Sequence, residues 1–165
     1  MRAPLIALLF AGAAMAQVSQ VSWTLTGGAA SDGKAIVRAA AAIEPGWHLY
    51  SASSPAGIPT TFRVGPASAP GRLRVFQPAP HKAYDKNFEA ETETFENSAT
   101  FFLEVERAKD ATSPLDVNVR YQTCNDKQCV PSRWSGAVPL TESPAPTIPA
   151  GYSEAKPPAP QSTGA

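Results

Sequence analysis

The chain has only two cysteines, two histidines and two methionines in 165 residues, and no surplus of charge, with 14 basic residues against 14 acidic ones. Two cysteines can make one bridge at most, which excludes a disulfide-dense miniprotein. Balanced charge excludes a nucleic-acid binder that neutralises phosphates with a basic face. Long apolar runs are lacking as well. The longest, Ala3 to Ala14, falls short of the roughly 20 residues a spanning helix needs, so no membrane span is expected in the mature chain. His48 and His81, the only histidines, stand at no zinc-ligand spacing from the cysteines, so no metal site is expected. Proline is what the chain has in plenty. Seventeen prolines exclude an all-helical bundle, because each interior one removes a backbone donor and clashes with the preceding turn. The length suits one domain.

The amino-terminal run reads as an address. Met1-Arg2 places a positive charge before it, and Ala14-Met15-Ala16 has the small-x-small form of a secretory cleavage site. Residues 1–16 are therefore expected to be a removed signal peptide, with the exported chain starting at Gln17. Losing Arg2 leaves a net charge of one negative. With no basic surplus, a partner would have to be recognised locally, around the cysteine loop.

From Val18 to Leu140 the apolar residues fall in short runs of period two, separated by Gly, Pro, Asn and Asp. Val21, Trp23 and Leu25 alternate with Ser22 and Thr24. Phe101, Leu103 and Val105 point opposite to Phe102, Glu104 and Glu106, and Leu115, Val117, Val119 and Tyr121 alternate with Asp116, Asn118 and Arg120. Other expected strands are Trp47 to Tyr50, Thr60 to Val64, Leu73 to Gln77 and Arg133 to Leu140. The alanines 39–42 favour helix, but the run is too short and ends at Glu44-Pro45, so a strand is expected there too. Seven to nine short strands imply an all-β chain, an antiparallel sandwich of immunoglobulin-like size over residues 17–142. After Glu142 six prolines follow in quick succession, so residues 143–165 are expected to form an extended, largely disordered tail.

The stretch Tyr121 to Ser132 is the most informative. A strand runs into Cys124, Asn125-Asp126 is a favoured turn dipeptide, and the chain returns through Cys129. Four intervening residues fit a hairpin loop, which brings the flanking Cα atoms within disulfide range. Closing so short a loop stabilises a fold by only about 2 kcal/mol. Short, exposed bridges are the exchangeable ones, and Lys127, with Arg133 shortly after, offers positive charge to favour a thiolate. Two readings stand at this point. Most exported bridges are structural, in which case the chain is a binding domain of immunoglobulin type; the other reading makes Cys124 and Cys129 a redox-active pair.

Gly46-Trp47-His48-Leu49-Tyr50-Ser51, Gly57-Ile58-Pro59-Thr60, Tyr121-Gln122-x-Cys124 and Cys129-x-Pro131 together resemble the N-terminal periplasmic domain of the thiol:disulfide interchange protein DsbD, the disulfide bond corrector family. The resemblance covers roughly Val18 to Leu140. It implies an immunoglobulin-like periplasmic domain whose cysteine pair passes electrons between thioredoxin-like proteins without a diffusible cofactor, with Cys129 the partner-facing sulfur. It also implies a cap that shields the pair. Here that stretch is His81 to Phe95, with Phe88 as the shielding ring and Asp85 or Glu89 as acidic neighbours. Tyr50 matches a family tyrosine beside the cysteines, Tyr121 belongs to the matching motif, and His48, on the face of Tyr50, is a candidate proton carrier. Full-length DsbD adds a membrane electron conduit and a thioredoxin-like domain. This chain shows neither, so its membrane electron donor would be encoded elsewhere.

Overall fold

The structure, a computed structural model, describes residues 19–30, 33–65, 73–86, 88–107, 114–141 and 144–158. The leader expected over residues 1–16 lies outside them. Among the described residues the strands are β1 (Val21–Ala30), β2 (Lys34–Ile43), β3 (His48–Tyr50), β4 (Thr61–Gly65), β5 (Leu73–Gln77), β6 (His81–Asp85), β7 (Ala90–Glu96), β8 (Ser98–Glu106), β9 (Leu115–Cys124), β10 (Cys129–Val138), β11 (Leu140–Thr141) and β12 (Ser153–Glu154). One sheet runs β11-β1-β2-β8-β5-β12 and the other β10-β9-β3-β7-β6, with β4 also paired to β9. Every pairing is antiparallel except β1 with β11. The chain is an all-β, immunoglobulin-like sandwich, as its period-two runs and turn residues require.

The core lies between the inner faces. Trp23 is its hub, with ring centroids 5.9 Å from Phe62, 6.1 Å from Phe101 and 5.5 Å from Tyr121. The alanine run becomes intelligible beside it. In the central strand β2, Ala41 lies opposite Trp23 and Ala39 opposite both Leu25 and Phe101, so the small residues make room for large ones on the neighbouring strands.

Two segments differ from expectation. Strands β6 and β7 form a hairpin, although their polar sequence lacks apolar alternation and β6 is solvent-facing from His81 to Tyr84, with only Asp85 partly buried. The tail is the larger correction. Instead of a disordered segment over the whole of 143–165, Ser153 and Glu154 add a strand to β5, and Tyr152 packs edge-on against Phe102 at 5.1 Å. Arg74 joins the two parts by bonding Glu104 at 3.1 Å and Glu154 at 2.8 Å. Phe102 is the physical reason. It points away from the core, opposite in parity to Phe101, and the tail gives it cover that the sandwich does not.

Candidate functional site

Strand β9 carries the site at its carboxyl-terminal end. From Leu115 to Arg120 its residues alternate between buried and exposed, but from Tyr121 to Cys124 all four are buried. The second face is covered there by the loop 51–60, which leaves the sheet between β3 and β4. The loop is fixed by backbone and side chains together. Ile58 N–H donates to Gln122 Oε1 at 2.9 Å, and Thr60 Oγ1 donates to the Tyr50 carbonyl at 2.6 Å. Gly57 sits at φ 75° against the Tyr50 ring, where a Cβ would come within 2.6 Å of a ring carbon. Only glycine meets both demands.

Cys124 and Cys129 are disulfide-bonded, with Cα atoms 4.1 Å apart, and lie directly opposite each other on β9 and β10. Asn125 makes the turn. Its side-chain oxygen accepts from the N–H groups of Lys127 and Gln128, both at 2.9 Å, and its own N–H donates to the Gln128 carbonyl at 3.0 Å. Since Asn125 and Gln128 form the hydrogen-bonded pair, Cys124 and Cys129 form the next, non-hydrogen-bonded pair, where facing Cα atoms approach most closely. The two sulfurs live in different surroundings. Cys124 is 2% exposed, whereas Cys129 is solvent-facing on the edge strand.

Two polar groups converge on the buried sulfur. The Tyr50 hydroxyl lies 3.4 Å from Cys124 Sγ and the Gln122 amide nitrogen 3.3 Å from it. Tyr50 is itself fully buried, and burial pushes its phenol up to about 12, helped by the charge of Asp85 and a hydrogen bond with that carboxylate. The hydroxyl therefore keeps its proton at neutral pH, with that single proton bonded to Asp85 and the phenol oxygen lying beside the sulfur.

Several sequence-predicted residues meet here. Phe88, at the tip of the β6–β7 turn and 37% exposed, packs edge-on over Tyr50 with centroids 6.1 Å apart. Glu89, beside it, takes a positive φ of 49° that helps close the turn, and its side chain is exposed. His48 lies opposite Cys124 on β3, with its ring 6.0 Å from that of Tyr50. Others are placed elsewhere. Lys127 is exposed at the turn tip, and among the described residues its ammonium has no hydrogen-bond partner. Tyr121 corrects the sequence reading: three positions from Cys124 on a period-two strand, it faces the core, where it packs on Trp23 and its hydroxyl meets Ser19 Oγ at 3.2 Å. Gln122 was missed as a site residue, though its spacing of two from Cys124 already put both on one face.

A second polar cluster anchors the covering loop. Glu93 on β7 accepts from Ser51 at 3.0 Å and from Ser53, and pairs with Lys82 at 3.1 Å. Gln77 of the opposite sheet donates to Ser53 at 2.8 Å and accepts from Ala52 N–H at 2.9 Å. Burial alone would raise the Glu93 carboxyl, but the bonds from Ser53, Lys82 and Ser51 outweigh it and hold the group below its usual range. No sequence signal marked this cluster, because its members come from four separate segments.

The family model for the thiol:disulfide interchange protein DsbD, N-terminal, matches residues 16–135. The chain belongs to the DsbD N-terminal family. Among solved structures it is similar to the N-terminal periplasmic domain of ScsB from Proteus mirabilis, at 19% identity and a TM-score of 0.65, over 80% of this chain and 51% of that one. It thus spans about half the length of the ScsB chain, and the likeness is one of fold. The reduced DsbD N-terminal domain of Neisseria meningitidis is 17% identical with a TM-score of 0.48, over 80% of this chain and 90% of that one. A structure of the complex between the DsbD N-terminal and PilB N-terminal domains of Neisseria meningitidis gives 18% and 0.44, over 68% and 80%. No curated protein sequence matches. Among the described residues of this DsbD-type domain, no cluster of side chains could hold a metal ion, and no helix is long and apolar enough to cross a membrane.

Proposed function

We propose that the chain is an exported, periplasmic thiol-disulfide exchange domain that relays reducing equivalents between thioredoxin-like proteins through Cys124 and Cys129. The observation that carries this reading is the asymmetry of the bridge, one cysteine exposed on the edge strand and the other buried beside the Gln122 amide and the Tyr50 hydroxyl. In the reduced domain the Cys129 thiolate attacks a partner disulfide. A mixed disulfide forms and one partner sulfur leaves as thiolate. Cys124 then attacks Cys129 Sγ, the mixed disulfide breaks, and the partner departs as a dithiol with the two electrons. A membrane electron donor of opposite task restores the dithiol. Tyr50 supplies a hydrogen bond to the buried sulfur as its charge appears, His48 offers a proton carrier at the rim, and Phe88 limits access by unrelated thiols. Lys127 assists through its charge alone.

Measuring the reduction potential of the pair tests the proposal. A relay requires a value above about −300 mV, and a lower one would make the bridge structural and the chain a binding domain. Cysteine substitution gives a second readout. Cys124→Ala should accumulate mixed disulfides with thioredoxin-like partners at Cys129 in an extract of exported proteins, and Cys129→Ala should not.

A further inference from the structure

We propose that Arg63, Arg120 and Arg133 form a cationic docking face for the redox partner, and that the partner meets it with a cluster of carboxylates. The inference rests on the exchange reading above and adds what the partner's surface must carry. Register places the three on one face. Arg120 on β9 lies opposite Arg133 on β10 and Thr61 on β4, and one step along, Asn118 lies opposite Arg63 and Ser135. All three arginines are exposed and line one shallow depression on the sheet. Counting by twos from Arg120 leads through Gln122 to Cys124, and from Arg133 through Pro131 to Cys129, so arginines and disulfide share a face.

Nothing within the fold explains this arrangement. Like charges directly opposite on adjacent strands are destabilising, and among the described residues no carboxylate pairs with any of the three. Three other cations, Lys34, Arg74 and Lys82, have carboxylate partners. Asp116, an acid on this face, stands four residues from Arg120 along β9 and diagonal to Arg63, and no ion pair joins it to either. Net charge conceals the patch, because 14 basic and 14 acidic residues cancel over the whole chain.

Distance decides who the occupant is. Four residues of strand put Arg133 roughly 13 Å from Cys129. A partner of standard size covers about 800 Å² on each side, a disc of about 16 Å radius. A protein centred on Cys129 in that way also covers Arg120 and Arg133, while Arg63, six residues along and two strands across at about 22 Å, extends the positive field beyond the footprint. Guanidinium groups desolvated there need anionic partners, which the docking protein must bring.

The test uses two peptides that carry one cysteine activated as its thiopyridyl disulfide, one followed by a run of glutamates and the other by glutamines. The domain is first reduced with a dithiol that is then removed; attack by the Cys129 thiolate joins it to the peptide sulfur and expels thiopyridone, whose absorbance is followed. Cys124 then displaces the peptide thiol and leaves the domain oxidised. At low ionic strength the glutamate peptide should react about tenfold faster or more, and the advantage should shrink as salt is added. The variant R63Q/R120Q/R133Q should lose the preference while keeping the glutamine-peptide rate. Equal rates for the two peptides in the unmodified domain, or a preference retained by the folded variant, would overturn the docking face and leave the exchange reading intact. Failure of both peptides to form the mixed disulfide would instead defeat the exchange reading itself. Should the triple variant not fold, the salt dependence of the unmodified domain decides alone.

Discussion

The two halves of β9 obey different rules. From Leu115 to Arg120 the strand does what a half-buried strand must, with apolar residues inward and polar ones outward. From Tyr121 to Cys124 both faces are closed, and the residues turned away from the core are Gln122 and Cys124. The first half is there to hold the sheets together. The second puts polar groups and a sulfur where water does not reach: Gln122 holds Ile58 and faces Cys124, Cys124 faces Tyr50, and among the described residues the buried Thr123 hydroxyl has no partner. Buried polarity at a strand end, set against ordinary alternation in the same strand, separates site from scaffold.

The contrast is sharpest for Leu115→Ala. Leu115 is fully buried, so its truncation should cost about 2–5 kcal/mol in urea denaturation while the thiol reactivity of the reduced pair stays unchanged. A change in reactivity would show that the halves are not separable. Gln122→Leu comes next. It leaves the Ile58 N–H without its acceptor, for a cost of about 1–3 kcal/mol, and should speed alkylation of reduced Cys124 as the loop loosens. Unaltered stability would mean that the covering loop is held elsewhere.

Smaller again is the effect of acid. The Glu93 carboxyl is held below its usual range in the folded state, so the stability it contributes is present above its unfolded pKa of about 4.3 and is lost as pH falls through the lower folded value. Melting temperatures of Glu93→Gln should therefore fall less steeply below that pH than those of the unmodified domain. Parallel curves would remove Glu93 from the account of loop anchoring. The smallest thermodynamic effect belongs to Phe88→Ala, within about 0.5 kcal/mol for an exposed turn residue. Its alkylation rate should nevertheless rise severalfold, and an unchanged rate in the folded variant would take Phe88 out of the site.

The sequence was legible where one period governed a segment. Leu115 to Val119 and Phe101 to Val105 announce their strands and their inward faces, and the Asn125 turn between cysteines announces the hairpin. Legibility failed where burial comes from distant segments. Nothing local to Tyr50 says that residue 57 will roof it, and Phe102 next to Phe101 gives no hint of Tyr152 fifty residues away. The β6–β7 hairpin escaped for the opposite reason, since a solvent-facing strand owes its place to backbone pairing and leaves no apolar trace. Parity already set Tyr121 with Leu115, Val117 and Val119. Family motif and strand face gave different answers there, and the face decided.

The Asn125 turn has a consequence for turnover. Because backbone and amide bonds close the hairpin, and the cysteines occupy the adjacent non-hydrogen-bonded pair, the ladder around the bridge is complete without the sulfur link. Opening the bridge changes two valences and leaves the frame standing. On the exchange reading, the hairpin would carry the pair through both redox states with these hydrogen bonds in place.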